Sequence, residues 1–220
     1  MQIRGYRASD RAGVRRVCFE TGYMGDPVAW QWRDEASFAD LFSGWYTDHA
    51  GDDALVVEGD GGEVVGYLLG CRDTRAIGGA TGRLARHHLL RRGLLVRPGT
   101  ARVLWRTIGD VAVATARRRL PPGEVIDDRW PAHLHIDLLP AARGTGVGRQ
   151  LMTRWLDALR ADDIAGCHLT TWAENDGAIA FFEAMGFRRE GPPQPMLGLR
   201  SPEGHRHHTQ LMVQPLGSAP

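Results

Sequence analysis

Arg143-Gly144-Thr145-Gly146-Val147-Gly148 joins a strand-like run, HLHIDLLP (133–140), to a helix-like run, VGRQLMTRWLDALR (147–160). Glycines at such a junction let the chain turn tightly and bring its amides close to a ligand. The new helix adds unsatisfied N–H groups and a positive dipole end, so a diphosphate is the natural occupant.

Two common phosphate loops do not fit. A nucleoside-triphosphatase loop needs Lys followed by Ser or Thr, and here Arg149-Gln150 follow the last glycine. A dinucleotide fingerprint needs GxGxxG early in a βαβ unit, with a carboxylate on the next strand to hold the ribose. Gly144, Gly146 and Gly148 come late, and the next strand carries His168 and Thr170.

The elements that must position this loop read as follows. Residues 2–7 form a first strand, Ser9-Asp10 cap a helix through Val14, Val17 and Cys18, and a second helical stretch covers about 34–47. ALVVEGD (54–60) and EVVGYLLGC (63–71) form an antiparallel hairpin about Gly61-Gly62. Helical periodicity returns in about 79–91 and 100–119, and Pro121-Pro122-Gly123 stops it. In HLHIDLLP the period of two puts His133, His135 and Asp137 on one face and Leu134, Ile136 and Leu138 on the other. After the glycines, Leu151, Trp155 and Leu159 share a helical stripe. CHLTTWA (167–173) is a strand, Asp176 to Met185 a helix ended by Gly186, GFRR starts a strand and HTQLMVQPL (208–216) is the last one. PPQPMLGLRSPEG (192–204) reads as a flexible connection. The expectation is one mixed α/β domain over 1–220, with a helical insertion at about 75–128 before the central strand.

At this point the chain resembles the GNAT superfamily of acyl-CoA-dependent acetyltransferases. Arg143, Gly146 and Gly148, reached through Leu138-Leu139-Pro140, match its Arg-x-x-Gly-x-Gly loop. Asn175 to Phe187 matches its N-x-x-A-x-x-F-[YF]-x-x-x-G-F signature. HLHIDLLP, Asp73-Thr74, the insertion and the FETG opening (19–22) are also similar to the acetyltransferase-like domain of O-GlcNAcase and its free-standing bacterial relatives. No glycoside hydrolase domain accompanies it. The resemblance implies a mostly antiparallel sheet with flanking helices, whose strands four and five splay to admit the pantetheine arm of acetyl-CoA.

It also implies roles. Backbone groups of Leu138 and Leu139 would meet the arm or polarise the thioester carbonyl. Amides of Arg143, Gly144, Thr145, Gly146, Val147, Gly148 and Arg149 would take the pyrophosphate, with the Arg143 guanidinium either assisting or solvated. Acyl transfer to an amine needs a proton acceptor. Asp137 is the first candidate, directly or through water, against a purely structural role. His135 is second, His133 less favoured, and Glu174 either binds or relays from the amine or simply starts a helix. Asn175 caps that helix or touches the arm. Trp172 lines the acceptor pocket or closes the core. Phe182 stands where many members have a tyrosine able to protonate the departing thiolate, and phenylalanine lacks the hydroxyl.

Composition narrows the classes. A chain of 220 residues with 43% hydrophobic content can build its own core. Cys18, Cys71 and Cys167 show no CxxC, and the cluster His205, His207 and His208 lacks a further ligand, so no metal site is expected. Charged residues in MQIRGYRASD and the lack of a spanning apolar run point to a cytoplasmic protein without membrane partners. A net charge of +1 argues against nucleic acid. Arg83, Arg86, Arg91, Arg92, Arg97, Arg102 and Arg106 nevertheless crowd a segment without Asp or Glu, Thr74 to Gly109. They form a solvated face, steer an anionic cofactor or acceptor, or contact RNA. The expected function is N-acetylation of a small-molecule or protein amine, with a homodimer among the expected partners. A catalytically weak or inactive acetyl-CoA-binding module is the alternative. With no lysine, the chain has no ε-amine of its own to acetylate.

Overall fold

The computed structural model describes residues 1–217 apart from Arg92 and Pro122. Seven strands form one sheet in the order β1-β2-β3-β4-β5-β7-β6. They are β1 (Gln2–Gly5), β2 (Ala54–Glu58), β3 (Val64–Cys71), β4 (Ala132–Leu138), β5 (Gly166–Trp172), β6 (Arg188–Arg200) and β7 (Arg206–Pro215). Every neighbouring pair is antiparallel except β4 and β5, which run parallel.

Two apolar layers cover the sheet. On one side lie α6 (Val147–Ala161) and α7 (Asp176–Ala184); on the other, α1 (Arg11–Thr21), α2 (Glu35–Ala39), a π-helical turn (Asp40–Gly44) and α3 (Trp45–His49). Alternation along β3 and β4 sends Leu68 and Leu134 into the first layer and Tyr67 and Leu69 into the second. The expected stripe of α6 is real, with Leu151, Trp155 and Leu159 all buried. Gly70 admits it, because a Cβ there would lie 2.4 Å from the Trp155 indole.

The insertion holds α4 (Ala80–Arg91) and α5 (Ala101–Ala116). Asp110 of α5 ties it to the β6–β7 hairpin, accepting from Gly198 N at 2.9 Å, Arg200 Nη2 at 2.7 Å and Arg206 Nη2 at 2.8 Å. Its outer face leaves Trp105, Ile108 and Val113 exposed. Within the arginine-rich segment, Arg97 pairs with Asp34 and Arg83 donates to Gly78 O at 2.7 Å; Arg92 lies outside the described residues, as does Pro122 of the expected stop.

Three local expectations need correction. Residues 192–200 are not a loop but belong to β6, with a turn only at 201–205. Pro192, Pro193 and Pro195 read as loop signals, yet β6 is an edge strand, and a residue without an N–H is tolerated there. The first strand stops at Gly5 rather than residue 7. Asp10 does not cap α1; it closes a 3-10 turn by accepting from Arg7 N at 2.7 Å and pairs with Arg4.

Candidate active site

β4 and β5 pair only at Ala132–Cys167 and His133–His168. Beyond those residues β4 continues along β3 to Leu138, while β5 continues along β7 to Trp172. A wedge therefore opens between the two strands toward their C-terminal ends. Leu139 N donates to Val65 O at 2.9 Å, so Leu139 points its amide at β3 and Leu138 must point its own backbone into the wedge. Of the two leucines, Leu138 alone has its N–H directed toward an entering arm. Its carbonyl accepts from Arg143 Nε at 2.9 Å.

At the mouth of the wedge the chain makes a 3-10 turn, Pro140–Ala142, and enters α6 through Gly144 (φ 73°) and Gly146 (φ 83°), a conformation that L side chains rarely adopt. Gly146 is the N-cap of α6 and offers no side chain to its first amides. No atom stands within 4 Å of where a Cβ of Gly144 or Gly146 would lie. An uncapped helix start beside open space is what a pyrophosphate requires, so the residues present fit the diphosphate of coenzyme A. Arg149 is exposed on the first turn of α6, and Thr145 donates to Ala142 O at 2.8 Å, tightening the loop. The Arg143 side chain does not reach out to an anion. Besides Leu138 O it donates to Gly25 O, and so straps the turn after α1 to the end of β4.

The polar face of β4 is as expected, but its members differ. His133 is buried and fully engaged, its Nε2 2.7 Å from the Tyr46 hydroxyl and its Nδ1 2.7 Å from Thr74 Oγ1. Burial lowers its pKa to about 3, so it is a neutral structural residue. His135 lines the cleft: its ring is open to solvent on one side and faced by Tyr46 on another, ring centroids 5.2 Å apart.

Asp137 is half-buried at the wedge. Its Oδ2 accepts from the Tyr67 hydroxyl at 2.5 Å, across the register pair Tyr67–Asp137 of β3 and β4. Burial raises the carboxyl pKa to about 6, partly offset by the hydrogen bond from Tyr67, by Thr21 and by the charge of Arg143. Tyr67, itself buried, is pushed well above the ordinary tyrosine value, so it remains a donor. A carboxylate half protonated near pH 6 is suited to proton transfer at neutral pH.

The remaining candidates divide. Asn175 caps α7, its Oδ1 accepting from Ala178 N at 3.0 Å. Phe182 is buried between Phe181 and Phe187, at centroid distances of 5.4 and 6.3 Å. Glu174 does not start the helix; it accepts from His208 N and Nδ1, both at 3.0 Å, and lies 3.5 Å from His207 Nδ1. Those His208 contacts outweigh burial and hold its pKa below the usual carboxylate value.

Sequence reasoning missed Tyr67 and Tyr23. Tyr67 sits inside the apolar run VVGYLLGC and reads as core; only the β3–β4 register places its hydroxyl on Asp137. Tyr23 follows α1 and packs on Trp172 and His207, ring centroids 5.4 and 5.6 Å away. No spacing rule links residues so far apart in sequence.

The family model of the acetyltransferase (GNAT) family matches residues 18–187. The chain belongs to that family. GNAT acetyltransferases use acetyl-CoA, whose diphosphate the uncapped start of α6 would fit. Among solved structures, SsHAT shares the fold with a TM-score of 0.63 and 24% identity over 99% of this chain and 98% of that one. A GNAT superfamily phosphinothricin acetyltransferase from Sinorhizobium meliloti, solved in complex with AcCoA, gives 0.56 and 19% over 98% and 88%. The ribosomal-protein-S18-alanine N-acetyltransferase from Escherichia coli gives 0.55 and 16% over 100% and 96%. As in the family fold, this GNAT chain has a mostly antiparallel sheet with one parallel, splayed pair. No helix among the described residues is long and apolar enough to cross a membrane.

Proposed function

We propose that the chain is an acetyl-CoA-dependent N-acetyltransferase acting on an amine. The observation that carries this reading is Asp137, a carboxyl with a pKa of about 6 held by Tyr67 at the open end of the β4–β5 wedge. Bound acetyl-CoA supplies an activated thioester. The amides that open α6 would hold its diphosphate and Leu138 N–H its arm. Asp137 takes a proton from the amine as its nitrogen attacks, directly or through one water. His135 stands two residues from Asp137 on the same face of β4, open to the cleft. Free thiol released from acetyl-CoA in the presence of a suitable amine tests the reading; none from a broad amine and peptide panel, with coenzyme A still bound, would refute it.

We propose a relationship to the acetyltransferase-like domain of O-GlcNAcase and its free-standing relatives, on the residues HLHIDLLP and Asp73-Thr74. Phe182 favours a second reading, a module that binds acetyl-CoA without turnover, since no hydroxyl at that position can protonate a departing thiolate. A thiol pKa near ~8.5 makes the thiolate a tolerable leaving group unaided, which keeps catalysis as the first reading. If the module reading holds, Asp137→Asn leaves any background turnover unchanged.

A further inference from the structure

The turn Tyr23–Asp26 bridges the mouth of the wedge. It is closed by two backbone bonds, Tyr23 N to Asp26 O and Asp26 N to Tyr23 O, both 2.9 Å, with Met24 and Gly25 at positive φ. Toward β4 it is held by Arg143 on Gly25 O, and toward β7 by the Tyr23 hydroxyl, 3.0 Å from His207 Nε2. Just before it, Thr21 lies close enough to Asp137 to lower that carboxyl's pKa. The turn thus joins the end of β4 to β7 beside Asp137.

The hydrogen-bond polarity at Tyr23 follows from its partners. Glu174 is ionised, and its Oε2 stands 3.5 Å from His207 Nδ1, which favours the tautomer protonated there. His207 Nε2 is then an acceptor and the Tyr23 hydroxyl its donor. The Tyr23 oxygen keeps its lone pairs for a donor from outside. Around it stand the rings of Trp30 and Trp172, with centroids 5.1 and 5.4 Å from that of Tyr23. Glu174 and Glu203 are close enough for their charges to raise the Tyr23 pKa, after burial as the main cause. The nearby guanidiniums point their N–H groups elsewhere, Arg143 to the Leu138 and Gly25 carbonyls and Arg206 to Asp110. The cluster is aromatic and hydrogen-bond accepting, with the carboxylates of Glu174 and Glu203 beside it.

We propose that Tyr23, oriented by His207 and Glu174 and flanked by Trp30 and Trp172, is the acceptor-docking site, and that it takes a cationic alkylamine carrying no carboxylate beside its nitrogen. The ammonium donates to the Tyr23 oxygen and rests among π-rich rings before it gives up protons and reacts near Asp137. A neighbouring carboxylate on the substrate would meet Glu174 and Glu203 and be repelled. This assignment rests on the N-acetyltransferase reading and goes against an acidic acceptor drawn in by the arginine-rich insertion.

The test measures thiol release from acetyl-CoA with 2-phenylethylamine and with phenylalanine, which differ by the carboxylate alone, for the wild type, Tyr23→Phe and Glu174→Gln. We expect kcat/KM about tenfold or more in favour of 2-phenylethylamine. Tyr23→Phe should lower it about tenfold, mainly through KM, at unchanged acetyl-CoA affinity, which also reports an intact fold. Glu174→Gln should narrow the gap between the two substrates. Equal use of both substrates, or turnover indifferent to Tyr23→Phe, overturns the docking site while leaving the enzyme reading standing. Absence of turnover with every amine, coenzyme A still bound, overturns the enzyme reading and the docking site with it.

Discussion

The Tyr67 hydroxyl donates to Asp137 Oδ2 at 2.5 Å from the adjacent strand, so the one carboxylate of the β4 polar face is held by a residue that remains protonated across the working pH range. Asp137→Asn keeps the shape and an oxygen for Tyr67 but removes the proton acceptor. Loss of a positioned base is worth about 10²–10⁴ in rate. Steady-state thiol release should fall at least about 100-fold, and the rise of kcat/KM through about pH 6 expected of the wild type should vanish.

Tyr67→Phe probes the same pair from the other side. The Tyr67 hydrogen bond lowers the Asp137 pKa against burial, so its removal raises that pKa further. The acidic limb of the pH–rate profile should move to higher pH, with activity at pH 8 less affected than activity at pH 6. An unmoved limb would mean that the limb belongs to another group.

Asp137 also links pH to stability. Its folded pKa of about 6 exceeds the ordinary aspartate value of 3.8. Between these values the native state binds more protons than the unfolded chain, so this residue's contribution to stability falls as pH rises from about 4 to beyond 6. A shift of that size corresponds to roughly 3 kcal/mol. Asp137→Asn should therefore unfold at higher denaturant concentration than the wild type at pH 8, and the difference should shrink by pH 4. Chemical denaturation at the two pH values reads this directly.

The glycine turn into α6, the α6 stripe and the two faces of β4 were legible in the sequence because each follows from spacing within one element: glycines at a strand-to-helix junction, a period near 3.6 and a period of two. What decides Asp137's chemistry was not. Tyr67 belongs to a run that is buried on both faces, and an apolar run does not disclose its register. Trp172, Tyr23 and His207 meet through the packing of β5, α1 and β7, which no local pattern encodes. The edge position of β6 likewise overrode three prolines, because edge status is a property of the whole sheet.

Gly146 stands at φ 83° with open space where a side chain would begin. Gly146→Ala meets no clash, but the left-handed conformation costs about 1 kcal/mol for an L residue. The added methyl also enters the space that a pyrophosphate would occupy. Coenzyme A affinity should fall about tenfold by isothermal titration while the thermal midpoint drops by only a few degrees. An affinity equal to wild type would place the diphosphate elsewhere.

Asp110 holds the insertion to the hairpin that carries His207 and Glu203, accepting from Gly198 N, Arg200 and Arg206. It is mostly buried, with 13% of its side chain exposed, and Arg200 is similar at 15%. Asp110→Ala leaves the mostly buried Arg200 guanidinium without its counter-charge, which should cost about 3 kcal/mol in urea unfolding. The β6–β7 turn would lose its anchor on α5, while the loop at 143–148 sits on the other side of the wedge and touches none of these residues. Asp110→Ala should therefore raise the KM for the amine at little change in acetyl-CoA affinity. Equal weakening of both would show that α5 supports the whole wedge rather than its acceptor side.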